Sequence, residues 1–121
     1  MEKYIDGFVF CVPRKKLKDY RKMAEYGGKM WKKYGALEYM ECVQDDLKVM
    51  HGMLAFPKLA KPKKGELIMF SFIVYKSRAH RDSVNKKVMN DPKMKKDMEK
   101  MVMPFDTKRM SYAGFKSIVS M

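Results

Sequence analysis

Nine residues constrain the fold more than any other stretch: Leu67-Ile-Met-Phe-Ser-Phe-Ile-Val-Tyr75. Aromatic and β-branched side chains dominate, and the run is far short of the ~20 residues that a membrane helix requires, so it predicts a strand. A lysine-proline loop over 57–64 leads into it, and Ser77 follows as the N-cap of a helix over 78–90. Asp91-Pro92 then restarts the helix, with Asp91 as cap and Pro92 in the first helical position. Met94, Met98, Met101 and Val102 form the expected apolar face of that second piece.

The first half of the chain has the same logic. Tyr4 to Val12 is aromatic and β-rich and closes at Pro13, which predicts the first strand. From Arg14 to Tyr34 the apolar positions Leu17, Tyr20, Ala24, Gly27, Trp31 and Tyr34 step by three and four, as on one helix face. Gly27-Gly28 costs this helix about 1 kcal/mol per glycine relative to alanine. A close approach to the sheet is expected to compensate. Gly35 ends the helix, Ala36 to Val43 is a second strand, and Gln44-Asp45-Asp46 is a turn. The irregular segment from Leu47 to Phe56 is a candidate for a short extra strand. Met103 to Phe115 supplies a proline turn and a closing strand.

The resulting order is β-α-β-loop-β-α-β in a single domain over residues 1–121. This is the α+β, ferredoxin-like βαββαβ pattern: an antiparallel sheet with helices on one face and the second helix broken at Pro92. Right-handed crossovers place strands one and three in the centre and the fourth beside the first. The uncovered face is expected to be aromatic, with Phe8, Phe10, Phe70 and Phe72, and a second copy would bury it. A homodimer in the form of a dimeric α+β barrel is the expectation.

The formal charge of +13 raises the question of a polyanionic partner. Arginine, the better phosphate reader, occurs only at 14, 21, 78, 81 and 109, and the lysines are spread over nearly every segment. A solvated basic surface is the simpler reading, with nucleic acid as the alternative. The 14 methionines fall mostly at core-periodic positions and read as gap-fillers. Cys11 and Cys42 are too few for a disulfide framework and read as free thiols. Glu2, Lys3 and Asp6 interrupt any leader-like apolar start, so a soluble, cytoplasmic protein without membrane contact is expected.

No metal-ligand spacing is present, since His51 and His80 lie in unrelated segments and neither has a second His or Cys two to four residues away. There is no phosphate loop and no nucleophile elbow, and no cofactor is expected. Asp6 is the most suggestive single residue, because strand alternation puts it on one face with Tyr4, Phe8 and Phe10. A carboxylate among aromatics must be solvated, paired or in use. Tyr112 of the closing strand is its expected neighbour, and the two are the catalytic candidates. His80, Arg109, Phe8 and Phe72 are the ligand-binding candidates. Asp106 and Arg109, three apart, read as a pair bracing the turn before the last strand. The same end of the sheet gathers Arg14, Lys15, Lys16, Lys61, Lys63, Lys64 and Lys108, a candidate anion-binding rim.

Four ordered motifs carry a family resemblance: Tyr-Ile-Asp-Gly-Phe-Val at 4–9, Ser-Arg-Ala-His-Arg-Asp-Ser-Val-Asn-Lys-Lys-Val-Met at 77–89, Asp-Pro-Lys-Met at 91–94 and Met-Pro-Phe-Asp-Thr-Lys-Arg-Met at 103–110. The chain resembles the YbaA-like proteins, the family called domain of unknown function 1428, over essentially its whole length. The resemblance implies the dimeric α+β barrel superfamily and brings no reaction with it. Haem-degrading proteins share that superfamily, but Trp31 lies on the wrong element to serve His80 as a haem partner. The leading expectation is a homodimer binding a small organic ligand in a barrel cleft, with cofactor-independent catalysis as one use of it. A polyanion-binding module for RNA or an acidic partner is the alternative, and a structural or interaction protein with no catalytic site is the third.

Overall fold

The computed structural model describes residues 2–121. Four strands, β1 (Tyr4–Pro13), β2 (Glu38–Val43), β3 (Glu66–Tyr75) and β4 (Ser111–Lys116), form one sheet in the order β2-β3-β1-β4, with every pair antiparallel. The helices are α1 (Leu17–Lys33), α2 (Phe56–Ala60), α3 (Arg78–Asn90) and α4 (Pro92–Lys100). The protein is thus of mixed α+β class. Among the described residues no helix is long and apolar enough to cross a membrane.

Local chemistry explains the boundaries. The Ser77 hydroxyl accepts the His80 N–H and starts α3. The Asp91 carboxylate accepts the Met94 N–H at 3.0 Å and starts α4, where Pro92 needs no donor. The basic triplet Arg14–Lys16 forms a 3-10 turn, so α1 begins only at Leu17 and gains Asp19 in its first turn. Gly35, with φ of 114°, takes the backbone out of α1.

Register decides which residues share a face. Tyr4 stands opposite Tyr75, Asp6 opposite Ile73, Phe8 opposite Ser71 and Phe10 opposite Met69. This face carries the core. Ile73 and Tyr75 pack with Met30, Val84, Val88 and Met94, while Phe10, Val12 and Met69 pack with Tyr20, Ala24 and Phe105. Helices α1, α3 and α4 therefore cover it. Phe70 and Phe72 point the other way, with Ile5, Val9 and Phe115.

Four expectations need correction. Phe8 and Phe10, with Asp6, lie on the helix-covered face, because each faces a β3 residue of opposite parity to Phe70 and Phe72. The helices are not all on one face either. Helix α2, inside the expected lysine-proline loop, lies by the open face, where the Cys11 thiol donates to the Ala60 carbonyl at 3.7 Å. Pro57 at its start and Lys61 in the left-handed region at its end define that short helix. Finally, no extra strand forms between Leu47 and Phe56, whose irregular apolar spacing gives no face to pair. Val102, past the end of α4, is exposed and outside the helix face expected to hold it.

Candidate functional site

Two carboxylates stand on the helix-covered side of the sheet, Asp6 near the start of the central strand β1 and Glu41 on the edge strand β2. Asp6 is 2% exposed. Arg81, from the first turns of α3, donates to its Oδ1 at 2.7 Å and to the Tyr112 hydroxyl oxygen at 2.6 Å. The Tyr112 hydroxyl in turn donates to Asp6 Oδ1 at 3.0 Å. The guanidinium is completed by Asp82, which accepts from its Nε at 2.7 Å, and by the Tyr4 ring 5.0 Å beneath it. Tyr112 stacks on Phe8 with 5.0 Å between centroids. Gly114 allows this packing, since a Cβ there would fall 2.2 Å from the Tyr4 hydroxyl. Burial, then the Asp6 charge, pushes the Tyr112 hydroxyl above the ordinary tyrosine range, which keeps it a donor.

Glu41 is held differently. Its Oε1 accepts from the Tyr20 hydroxyl of α1 at 2.6 Å and from the Ser71 hydroxyl of β3. Its Oε2 accepts from Tyr39, two residues back on the same strand face, at 2.7 Å. All three partners are neutral, and no ion pair involves Glu41 among the described residues. Burial, followed by Glu41 itself, raises the pKa of both Tyr20 and Tyr39 far above neutrality, so they remain donors at any ordinary pH. The Gly27-Gly28 pair sits against the Tyr39 ring, as the expected close approach requires; a Cβ on Gly28 would lie 2.9 Å from that ring.

Glu41 lines a cleft of about 420 Å³ between α1 and the β2 edge. Leu17, Ala24, Val43 and Met69 make its apolar walls, and the Tyr20 and Tyr39 rings flank the carboxylate. Arg21 and Glu25, an exposed ion pair at 3.3 Å, line it as well. A smaller, methionine-lined pocket of about 180 Å³ shares Ala24, Tyr39 and Glu41 with it. The volume is within the range of small-molecule sites, and an apolar cavity with few convergent polar groups is their usual composition. Among the described residues no group of three His, Cys, Asp or Glu side chains could hold a metal ion.

Sequence reasoning brought Asp6 and Tyr112 together and missed the cation between them. Arg81 was legible as the first member of the α3 stripe Arg81, Val84, Asn85 and Val88. Glu41 was legible by the argument that singled out Asp6, because it shares a strand face with Tyr39 and Val43. His80 does not line the cleft: its Nδ1 accepts the Lys76 N–H at 2.9 Å and its ring lies edge-on to Tyr75. Burial, with Lys76 and Lys87, lowers its pKa. Phe72 is on the open face, 6.1 Å from Phe70.

Arg109 does not pair with Asp106. It makes two bonds to Glu66, at 2.8 and 2.9 Å, and one to the Lys61 carbonyl. Asp106 instead accepts the Lys108 N–H and caps the turn by itself. Of the basic rim, Arg14 meets Gly65 through its backbone, so the segments holding Arg14–Lys16, Lys61–Lys64 and Lys108–Arg109 do converge at one end of the sheet.

The protein-family model described as "Protein of unknown function (DUF1428)" matches residues 3–107. The chain is 44% identical over 118 residues to "Uncharacterized protein YbaA" of Escherichia coli strain K12, and equally so to that of Shigella flexneri, covering 97% of either chain in both cases. Among solved structures, a de novo designed protein, Foldit4, shows a TM-score of 0.43 at 10% identity, covering 99% of this chain and all of that one.

Proposed function

Since the chain belongs to the DUF1428 family, which has no assigned activity, we propose from the site alone that it binds a small organic ligand in the cleft over Glu41. One observation carries the reading: a carboxylate fixed by three hydroxyls, with no ion-pair partner among the described residues, on the wall of an apolar cleft of about 420 Å³. Fixed side chains present a bound group with geometry already set, which lowers the entropic cost of binding. The raised pKa values of Tyr20 and Tyr39 favour hydrogen bonding over proton transfer by these groups. Asp6 and Tyr112, tied to Arg81, have a positioning role between β1, β4 and α3 in this scheme. Thermal-shift screening against small metabolites tests the reading. A ligand at a hundred times its dissociation constant raises stability by about 2.7 kcal/mol, and a screen without a single shift would count against the cleft.

The working unit in this proposal is a homodimer. The β2-β3-β1-β4 order supports a ferredoxin-like arrangement, and two such sheets packed face to face form a dimeric α+β barrel. What supports the pairing is an apolar groove of about 590 Å³ on the open face, lined by Ile5, Val9, Phe70, Phe72 and Phe115. Phe70 and Phe115 are about half exposed. Sedimentation velocity tests this: Phe72→Glu is expected to leave only monomer, and a wild-type protein that is monomeric throughout would defeat it. The convergence of basic segments near Arg14, Lys61 and Lys108 favours a second reading, a polyanion-binding module. Such binding would weaken steeply with added salt, whereas binding in the Glu41 cleft would change little.

A further inference from the structure

We propose that the ligand of the Glu41 cleft is an organic cation, a protonated amine on a compact apolar body, despite the strongly basic charge of the whole protein. This rests on the reading of the cleft as a small-molecule site. A carboxylate oxygen accepts about two hydrogen bonds. Oε1 of Glu41 has both places filled, by Tyr20 and Ser71, while Oε2 has only Tyr39. One acceptor position on Oε2 is left, so the complementary ligand group is a donor.

Charge narrows the choice. Asp6 on the same sheet face has Arg81 as its counter-charge, but the partners of Glu41 are three neutral hydroxyls. An ammonium group supplies the missing charge and strengthens the hydrogen bond it donates. The rings of Tyr20 and Tyr39 line the same cleft, and aromatic faces attract cations. A carboxylate or phosphate ligand would instead meet Glu41 as a like charge, which complementary sites avoid. The remaining walls, Leu17, Ala24, Val43 and Met69, fit an apolar body.

The experiment uses three probes of similar size at pH 7 and calorimetric or NMR titration of the full chain: benzylamine as the cation, benzyl alcohol as the neutral donor and benzoate as the anion. Benzylamine is expected to bind roughly tenfold more tightly than benzyl alcohol, and benzoate to be weakest. Glu41→Gln removes that preference, bringing benzylamine to the level of the alcohol. Arg21 is exposed and outside the core, so Arg21→Gln folds as wild type, removes a positive charge from the cleft, and tightens benzylamine roughly two- to threefold. Benzoate binding as well as benzylamine, or benzylamine indifferent to Glu41→Gln, would overturn the cation assignment while leaving the cleft. Absence of binding by all three probes, or affinities unchanged in the cleft-filling Val43→Trp, would overturn both.

Discussion

Asp6 and Glu41 occupy the same face of one sheet, on strands separated only by β3, and they are satisfied by different means. Asp6 is sealed at 2% exposure and bound to a guanidinium that is itself only 13% exposed. Glu41 is half-buried beside open space and is held by hydroxyls alone. A charge neutralised within the protein has no demand left for a ligand to meet, whereas a charge merely oriented by neutral donors does. The contrast separates a carboxylate that fastens the fold from one that is set up for recognition.

The largest effect that tests this contrast comes from removing the internal counter-charge. Arg81→Met leaves Asp6 buried and unpaired, and denaturant melts are expected to show a loss of about 3–5 kcal/mol. Glu41→Gln, which removes no cation and keeps the shape, is expected to cost only about 1 kcal/mol. Equal losses would erase the distinction. Next come the two glycines that seat a tyrosine beside each carboxylate. Gly28→Ala pushes on the Tyr39 ring and Gly114→Ala on the Tyr4 hydroxyl, each expected to cost about 1–3 kcal/mol by overpacking. Only Gly28→Ala should also weaken ligand binding, read by titration. Tyr112→Phe comes third. It removes one of the two hydrogen bonds on Asp6 Oδ1 and is expected to cost about 1 kcal/mol with ligand affinity unchanged.

The smallest effect concerns acid. The Tyr34 hydroxyl, then the Met94 N–H, hold the Asp91 carboxyl below the usual aspartate range, and Arg109 does the same for Glu66. A depressed folded-state pKa contributes stability that is present above the unfolded value and lost as pH falls through the folded one. Stability is therefore expected to fall below about pH 4, in urea melts taken stepwise from pH 7 to 3. Asp91→Asn should flatten that fall without touching the Glu41 cleft.

Much of this architecture was legible because its punctuation is local. Ser77, Asp91-Pro92 and Gly35 mark boundaries through their own backbone chemistry, and the expected helix over 78–90 matches α3. Inter-strand register was not legible. Period-two alternation fixes faces within a strand, but β3 is apolar on both sides and so carries no parity that relates Phe70 to Phe8. Sequence proximity also misled at Arg109, whose partner Glu66 lies 43 residues away instead of three. Strand alternation singled out Asp6 because aromatics surround it. The same alternation held Glu41 between Tyr39 and Val43, but nothing local said that Tyr20 would arrive from α1.

The bond between Tyr112 and Asp6 spans 106 positions of the chain, and this has a consequence for vectorial synthesis. At a ribosomal pace of roughly 5–20 residues per second, β1 waits on the order of 5–20 s before β4 exists to pair with it. Through that interval one edge of β1 is a bare ladder of N–H and C=O groups, the kind of template on which nascent chains cross-pair. Arg81 emerges 31 residues before Tyr112. The ion pair can therefore close over Asp6 while the edge is still open, so that the last strand docks onto a side chain whose charge is already neutralised.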